Sequence, residues 1–278
     1  MASGFRPPVT GIAFLDGFLY VAEGGNPGRI TRVAPDGSRQ VIVDGLRSGA
    51  DHFTGELVAG PDGRLYFGVG TATNSAVVGV DNFVFGWLPD LPSFHDVPAR
   101  DLVLRGINFA TVDPLASPVP GGPLLGTRAV TGAYHPFGEP STPGEVVEGQ
   151  LLANGAIYRV NPDGSGLEVF ADGLRNPFGL GFAPDGRLLA IDQGYDARGS
   201  RPVFNALEPL WVIQRGGWYG WPDFVAGIPV TNPRFDVRFD PAGETLYVLD
   251  FGVVEANAAG IIPWAQSGIL WRIRRQAG

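Results

Sequence analysis

Short runs in which apolar and polar residues alternate recur along the chain, each followed by a turn sequence and a glycine. In Gly173–Gly194 this pattern predicts two strands, Phe178–Pro184 and Arg187–Asp192, joined by a two-residue turn. The same hairpin recurs at three other places: Leu15–Gly24, Pro61–Gly70 and Pro241–Gly252. Four copies of one hairpin, without any long helical pattern, predict an all-β chain folded as a β-propeller.

Grouping these strands predicts about four blades of four antiparallel strands each. The first blade takes four consecutive segments: Val9–Phe14, Phe18–Ala22, Arg29–Ala34 and Arg39–Val43. The second begins with Gly55–Ala59 and Arg64–Val69 and is completed only much later, by Ala156–Asn161 and Leu167–Ala171. The third takes Gly179–Ala183, Arg187–Ile191, Leu210–Gln214 and Tyr219–Phe224, and the fourth takes Val237–Asp240, Thr245–Leu249 and Ile269–Ile273.

This grouping makes residues 1–278 one propeller domain and places a long insertion, residues 71–152, within the second blade. The inserted segment is rich in Pro, Gly and aromatic residues, and it carries His95 and His135 without the spacing of metal ligands. A loop of this length in a compact domain is usually functional or disordered, and the aromatic residues favour an ordered cap on one face of the propeller.

Composition agrees with short strands and tight turns, since 42 of the 278 residues are Gly and 25 are Pro. The net charge of −8 and the absence of Lys argue against nucleic acid as a partner, because phosphate binding needs clustered cations. No apolar run approaches the ~18 residues that indicate a membrane span. The sequence also lacks a GxSxG elbow, a phosphate-binding glycine loop and the HExxH motif, so several enzyme classes have no support.

Acidic residues recur at one position of the repeated hairpin. Aligning the four copies on their Leu residues places Glu23, Val69, Asp192 and Asp250 together, each at the end of the second strand. Equivalent positions in a propeller surround one axis, so the three carboxylates are expected to converge on the central channel. Converging carboxylates repel unless a cation neutralises them, and calcium prefers oxygen ligands of this kind. The alternative, in which each acid caps its own turn, is equally compatible with the sequence.

Polar side chains also precede two of the inner strands. Asp51 and His52 come before the second blade, and Arg175 and Asn176 hold the matching place before the third. Loops that enter inner strands face the channel mouth, so these four side chains are expected to share a pocket with the acids. Histidine accepts a proton near neutral pH, and Arg with Asn can bind an anionic or quinone oxygen. A purely structural role for His52 is the alternative.

With these residues in place, the chain resembles the soluble PQQ-dependent sugar dehydrogenases, the glucose/sorbosone dehydrogenase group of β-propellers. The matching segments are GADHFTGELVAGPDGRLYFGVG, LRNPFGLGFAPDGRLLAIDQG and GGWYGWPDF, which stand in the order that the family has them. Within the insertion, TATNSAVVGVDN, FGWLPD and PFGEPSTPG resemble the sorbosone-dehydrogenase-like relatives.

The resemblance implies a PQQ- and calcium-dependent oxidoreductase that acts on a sugar or polyol-type alcohol, located in the periplasm or secreted. His52 matches the family's general base, and Arg175 and Asn176 match residues that hold the quinone oxygens; Asp51 is assigned to the same cofactor pocket. Gly194 and Tyr195 fall where backbone carbonyls bind the calcium. The acids Asp192, Glu23 and Asp250 are the further candidate metal ligands.

The chain also departs from the family pattern. Family members usually have six blades, whereas four hairpins are found here, and Asn232–Arg238 resembles a junction across missing blades. Two other functions therefore stay open: a non-catalytic, trimmed or redesigned propeller scaffold, and a metal-dependent hydrolase of the lactonase type that uses the acidic positions. Association between copies is expected if the ring is incomplete.

Overall fold

The computed structural model describes residues 3–116 and 127–232, Phe235, and the backbone of five short strands between residues 238 and 274. The described chain is nearly all β, as predicted, with four-stranded antiparallel sheets. It divides into two compact units, Met1–Val230 and Thr231–Gly278. Within the described residues no helix has the length and apolar character needed to cross a bilayer.

Sheet 1 consists of the first four strands in chain order: β1 (Val9–Leu15), β2 (Phe18–Glu23), β3 (Gly28–Val33) and β4 (Arg39–Leu46). The predicted four-stranded unit at residues 9–43 is therefore confirmed. Asp16 and Gly17 both adopt positive φ, at 50° and 83°, which is the geometry of the tight turn that matches the twist of a hairpin.

Sheet 2 begins with β5 (Thr54–Ala59) and β6 (Leu65–Val69). The chain then forms a short helix and four strands: α1 (Val80–Val84), β7 (Leu102–Arg105), β8 (Asn108–Val112), β9 (Arg128–Gly132) and β10 (Pro143–Val147). β7 pairs with β10 and β8 with β9. The chain returns as β11 (Ala156–Val160) and β12 (Glu168–Asp172), which complete the order β5-β6-β11-β12.

Sheet 3 has three strands: β13 (Pro177–Phe182), β14 (Leu188–Asp192) and β15 (Leu210–Ile213). The prediction of a fourth strand at Tyr219–Phe224 is wrong. Gly220 has a φ of +105°, which an extended strand cannot accommodate, and Trp218 instead forms a parallel bridge with Asp172. The chain then makes a small hairpin of β16 (Phe224–Val225) and β17 (Ile228–Pro229).

Alternation along β6 explains how sheet 2 packs on both of its neighbours. Leu65 and Phe67 point into a core shared with sheet 1, together with Tyr20 and Ile30. Tyr66 points to the opposite side, into a core that includes Leu180 of sheet 3. Because successive side chains of a strand face opposite sides, five consecutive buried residues require a sheet that is covered on both faces.

The three hairpins of the first unit share one register. The last residue of each second strand pairs with the first residue of each inner strand: Val9 with Glu23, Thr54 with Val69, and Pro177 with Asp192. A bulge follows each of these pairs. The equivalence of Glu23, Val69 and Asp192 that the sequence alignment predicted is therefore confirmed within the first unit.

The second unit contains β18 (Arg238–Phe239), β19 (Thr245–Asp250), β20 (Val254–Asn257), β21 (Gly260–Pro263) and β22 (Ile269–Arg274). One sheet has the order β18-β19-β22, and β20 pairs with β21. The predicted hairpin and its third strand are confirmed. Asp250 ends β19, but its side chain lies outside the described residues.

Candidate functional site

His52 lies in the loop before β5 and is buried, with 7% of its surface exposed. Its Nδ1 lies 2.9 Å from the carbonyl oxygen of Thr71 and 3.2 Å from the hydroxyl of the same residue. The carbonyl can only accept, and the Thr71 hydroxyl already donates to the Thr73 carbonyl, so Nδ1 carries the proton. Nε2 of His52 is therefore the acceptor nitrogen, and it makes no hydrogen bond to any described residue.

The surroundings of His52 keep its imidazole neutral. Burial lowers the pKa of His52 well below its usual range, and the positive charges of Arg175 and Arg198 lower it further. A neutral ring with a free Nε2 lone pair is the form in which histidine accepts a proton.

The segment Thr71–Asn74, which follows β6, connects the residues of the site; it is called the bridging segment below. All four of its residues are at least 98% buried. Thr71 contacts His52 and also donates its backbone N–H to the Arg175 carbonyl at 2.8 Å. The carbonyl of Ala72 accepts from the backbone N–H of Asp51 at 3.3 Å. A single stretch of four residues thus fixes the loops that precede β5 and β13.

Arg175 is almost completely buried, with 1% exposed, and it is held at each end. Its Nε donates to the Asn74 carbonyl at 3.2 Å, and one terminal nitrogen pairs with Asp196 at 2.7 Å. The backbone N–H groups of Arg175 and Asn176 both donate to the Asp192 carboxylate, the latter at 2.8 Å. Burial raises the pKa of Asp192 to about 6, although the two backbone donors counteract that rise.

His52 and Asn176 line a cavity of about 440 Å³, together with Gln193, Glu56 and Phe178. Asn176 donates its amide to the Gln193 side-chain oxygen at 2.8 Å. That bond leaves the Asn176 oxygen as an acceptor and the Gln193 amide as a donor, neither bonded to a described residue. The residues that line the cavity therefore include a neutral histidine, one amide with an unbonded donor and one with an unbonded acceptor.

Gly70 allows the two key side chains to lie close together. A Cβ atom at this position would lie 2.5 Å from the His52 Cβ and 2.5 Å from the Asn176 side-chain oxygen. Real Cβ atoms do not approach other atoms so closely, so only glycine fits between them without displacing one.

Asp51 lies beside His52, but its carboxylate is fully occupied by protein donors. One oxygen accepts from Asn82 at 2.9 Å and from the indole of Trp87 at 2.7 Å, and the other pairs with Arg198 at 2.8 Å. Arg198 also pairs with Asp81 and Asp196 and lies over the Phe85 ring. Asp51 thus ties the residues that follow β6 to the loop that carries His52.

Gly194 and Tyr195 line a different, smaller cavity of about 20 Å³, which Arg175 and Asp192 also line. This volume is that of a single water molecule or ion. The carbonyl oxygens of Gly194 and Tyr195 accept no hydrogen bond from a described residue, whereas the Gly194 N–H is bound by Glu208 at 2.7 Å. Gln193 borders both cavities, so the predicted site is distributed over two neighbouring spaces.

The acids at the hairpin ends have separate environments. Glu23 is completely buried, and its oxygens accept from the backbone of Arg6, from Arg29 at 2.8 Å and from Thr31. Burial would raise the pKa of Glu23, but these donors outweigh it and lower the pKa. Within the described residues, no three His, Asp or Glu side chains lie close enough together to hold a metal ion.

The sequence analysis did not single out several residues that build the candidate site: Thr71, Thr73, Asn74, Asp96 and Gln193. Asp96 is 1% exposed, and burial raises its pKa to about 7. The run Thr71–Ser75, which follows a strand and in which four of the five residues are small and polar, was the available signal, because such residues are mostly exposed. Asp96 carried no signal, since its contacts with Ala72 and Thr73 span 24 and 23 positions of the chain.

No family model matches the chain. Quinoprotein glucose dehydrogenase B of Acinetobacter calcoaceticus is 29% identical over 192 residues, which cover 67% of this chain and 29% of that protein. The match thus spans less than a third of the relative's length, and it confirms the resemblance to sugar dehydrogenases. The PQQ-bound aldose sugar dehydrogenase of Streptomyces coelicolor superposes with a TM-score of 0.31 at 19% identity, covering 97% of this chain and 82% of that one. A glucose dehydrogenase structure gives a TM-score of 0.42 at 13% identity, covering 98% and 76%.

Proposed function

We propose that the chain is an oxidoreductase that oxidises a sugar or polyol-type alcohol with PQQ and calcium, with His52 as general base. One observation carries the proposal: His52, neutral and protonated on Nδ1 with no described partner for Nε2, lines a cavity of about 440 Å³ together with Asn176 and Gln193. The similarity to a quinoprotein glucose dehydrogenase supports the choice of chemistry. The sheets are accordingly proposed to be propeller blades, residues 71–152 a cap within the second, and the protein periplasmic or secreted.

The described residues fit one end of PQQ and not the other. The amide groups of Asn176 and Gln193 are suitable partners for quinone oxygens, and the carbonyls of Gly194 and Tyr195 are suitable for calcium. PQQ also carries three carboxylates, and the described residues that line the larger cavity include Asp51 and Glu56 but no Arg. Cations for those carboxylates must therefore come from elsewhere than this lining.

The contribution of the protein's own residues can be stated without the cofactor. Nε2 of His52 accepts the proton of a substrate hydroxyl, while Nδ1 keeps its proton on the Thr71 carbonyl. The Gln193 amide and the Asn176 oxygen orient the other hydroxyl groups of the substrate. The positive charge of Arg175 acts on His52 and helps to keep its ring neutral. PQQ, when bound, supplies the two-electron acceptor.

The test is to incubate the full chain with PQQ and calcium and to follow dye reduction with a panel of aldoses and polyols. His52→Gln is expected to lower kcat by a factor of about 10²–10⁴, the usual contribution of a general base. His135→Gln is the matched control, because His135 pairs with Glu145 at 2.8 Å and lines neither cavity. Failure to bind PQQ, with no turnover of any substrate, would refute the proposal.

A further inference from the structure

A buried acid, Asp96, contacts the bridging segment. Asp96 accepts from the backbone N–H of Ala72 at 2.6 Å through one oxygen and from the Thr73 hydroxyl at 2.6 Å through the other. Both contacts are short for hydrogen bonds, so Asp96 holds the two donors closely. Neither the sequence motifs nor the proposed reaction assigns a role to this residue.

The geometry places Asp96 and His52 on opposite sides of one peptide group. The peptide that joins Thr71 to Ala72 donates its N–H to Asp96 and accepts from the His52 Nδ1–H through its C=O. A trans peptide directs its N–H and C=O in opposite directions and is polarised along that line. A carboxylate on the N–H therefore draws electron density toward the carbonyl oxygen and strengthens its bond to the imidazole.

The loop that carries Asp96 is itself fixed. The Asn154 side-chain oxygen accepts from the Val97 backbone N–H at 3.1 Å, and its amide donates to the Gly70 carbonyl at 3.2 Å. The same residue thus holds the chain beside Asp96 and the residue just before the bridging segment. Arg47 donates to the His95 carbonyl at 2.6 Å and so fixes the residue on the other side of Asp96.

We infer that Asp96 is a positioning residue for His52: through the Thr71–Ala72 peptide it holds the ring in the Nδ1–H form and keeps Nε2 free as the proton acceptor. No carboxylate among the described residues contacts the imidazole directly, so the peptide carries the interaction that a direct Asp–His contact would otherwise supply. The catalytic role of Asp96 rests on the proposed function, whereas its effect on the tautomer of the His52 ring does not.

The test compares wild type, Asp96→Asn and Asp101→Asn by ¹⁵N NMR of the histidine side chains, which three residues make simple to assign. Asp101 is the matched control, since it accepts a backbone N–H from Gly149 at 2.8 Å in the same region but is exposed and has no contact with the bridging segment. His52 is expected to show a protonated Nδ1 in wild type and Asp101→Asn, and a mixture of tautomers in Asp96→Asn. Unchanged His52 ring shifts in Asp96→Asn would overturn the inference.

Turnover separates this inference from the proposed function. Asp96→Asn is expected to lower kcat about tenfold, the usual effect of losing an outer partner of a functional histidine, and to leave KM unchanged because Asn176 and Gln193 are untouched. Absence of turnover in every variant would refute the function, while the NMR comparison would still decide the role of Asp96. If Asp96→Asn does not fold, the wild-type Ala72 amide decides it: a far-downfield, slowly exchanging proton supports the inference, and an ordinary, rapidly exchanging one overturns it.

Discussion

Replacing Asp51 by Ala tests whether this residue holds the structure together or binds a ligand. Its side chain is 1% exposed and accepts from Asn82, Trp87 and Arg198. The variant leaves the Asn82 amide and the Trp87 indole N–H, both buried, without an acceptor. Each unsatisfied donor lowers the free energy of unfolding by about 1–3 kcal/mol. Arg198 keeps Asp81 and Asp196, so the loss of its pair with Asp51 is partly compensated.

Together the two donors cost about 2–6 kcal/mol. We expect Asp51→Ala to lower the free energy of unfolding by about 3–5 kcal/mol, which is the part of that range found when one partner of a buried ion pair is removed. In a unit of this size, such a loss lowers Tm by roughly 6–20 °C. Urea unfolding followed by far-UV circular dichroism measures the change, with an unchanged slope showing that only stability is altered.

Asp101→Ala is the control for this measurement. Its carboxylate is exposed and accepts one backbone N–H from Gly149, so its removal should cost less than about 1 kcal/mol. Equal stability of Asp51→Ala and wild type would show that the network around Arg198 contributes nothing. The reasoning from burial and hydrogen bonding would then be refuted.

Three further predictions follow from single contacts. Tyr158→Phe removes a hydroxyl that accepts from the Ala153 N–H at 2.7 Å and donates to its carbonyl at 2.8 Å, so it should lower the free energy of unfolding by about 1–3 kcal/mol in urea titrations. Because the pKa of His52 is lowered in the folded state, the unfolded chain binds a proton on this residue more readily, and stability should fall as the pH drops below about 6.5. His52→Gln should remove this part of the pH dependence of the free energy of unfolding. A pH dependence identical to that of the wild type would contradict the prediction. Glu23→Gln weakens the buried pair with Arg29 and should reduce stability, while calorimetric titration with calcium should give the same result as for the wild type. A binding signal that the wild type shows and the variant lacks would instead make Glu23 a metal ligand.

The repeated strands could be predicted from the sequence because the signal for each hairpin is local. The turn at Asp16-Gly17 and the alternation along Leu65–Val69 act over a few residues, and the structure has a hairpin at each predicted place. The wrong strand at Tyr219–Phe224 has the same origin, since that prediction used only local signals. Its aromatic residues are typical of a strand, but the conformation of Gly220 does not fit one.

The site was only partly predictable, because its geometry depends on contacts between distant parts of the chain. Aligning the two loops correctly indicated that His52 and Asn176 come close together, and they border one cavity. Alignment could not show that Asp51 is occupied by Arg198, which lies 147 positions further along, or that Asp96 contacts Ala72. The charge on a carboxylate is visible in a sequence, but the donors that neutralise it are not.

The absence of a side chain at Gly70 has a practical consequence for altering this protein. Any substituent there would press on the His52 Cβ and on the Asn176 amide, and its size would set their separation without changing a single charge. A series of Ala, Ser and Val at this one position would therefore vary the width of the gap in graded steps.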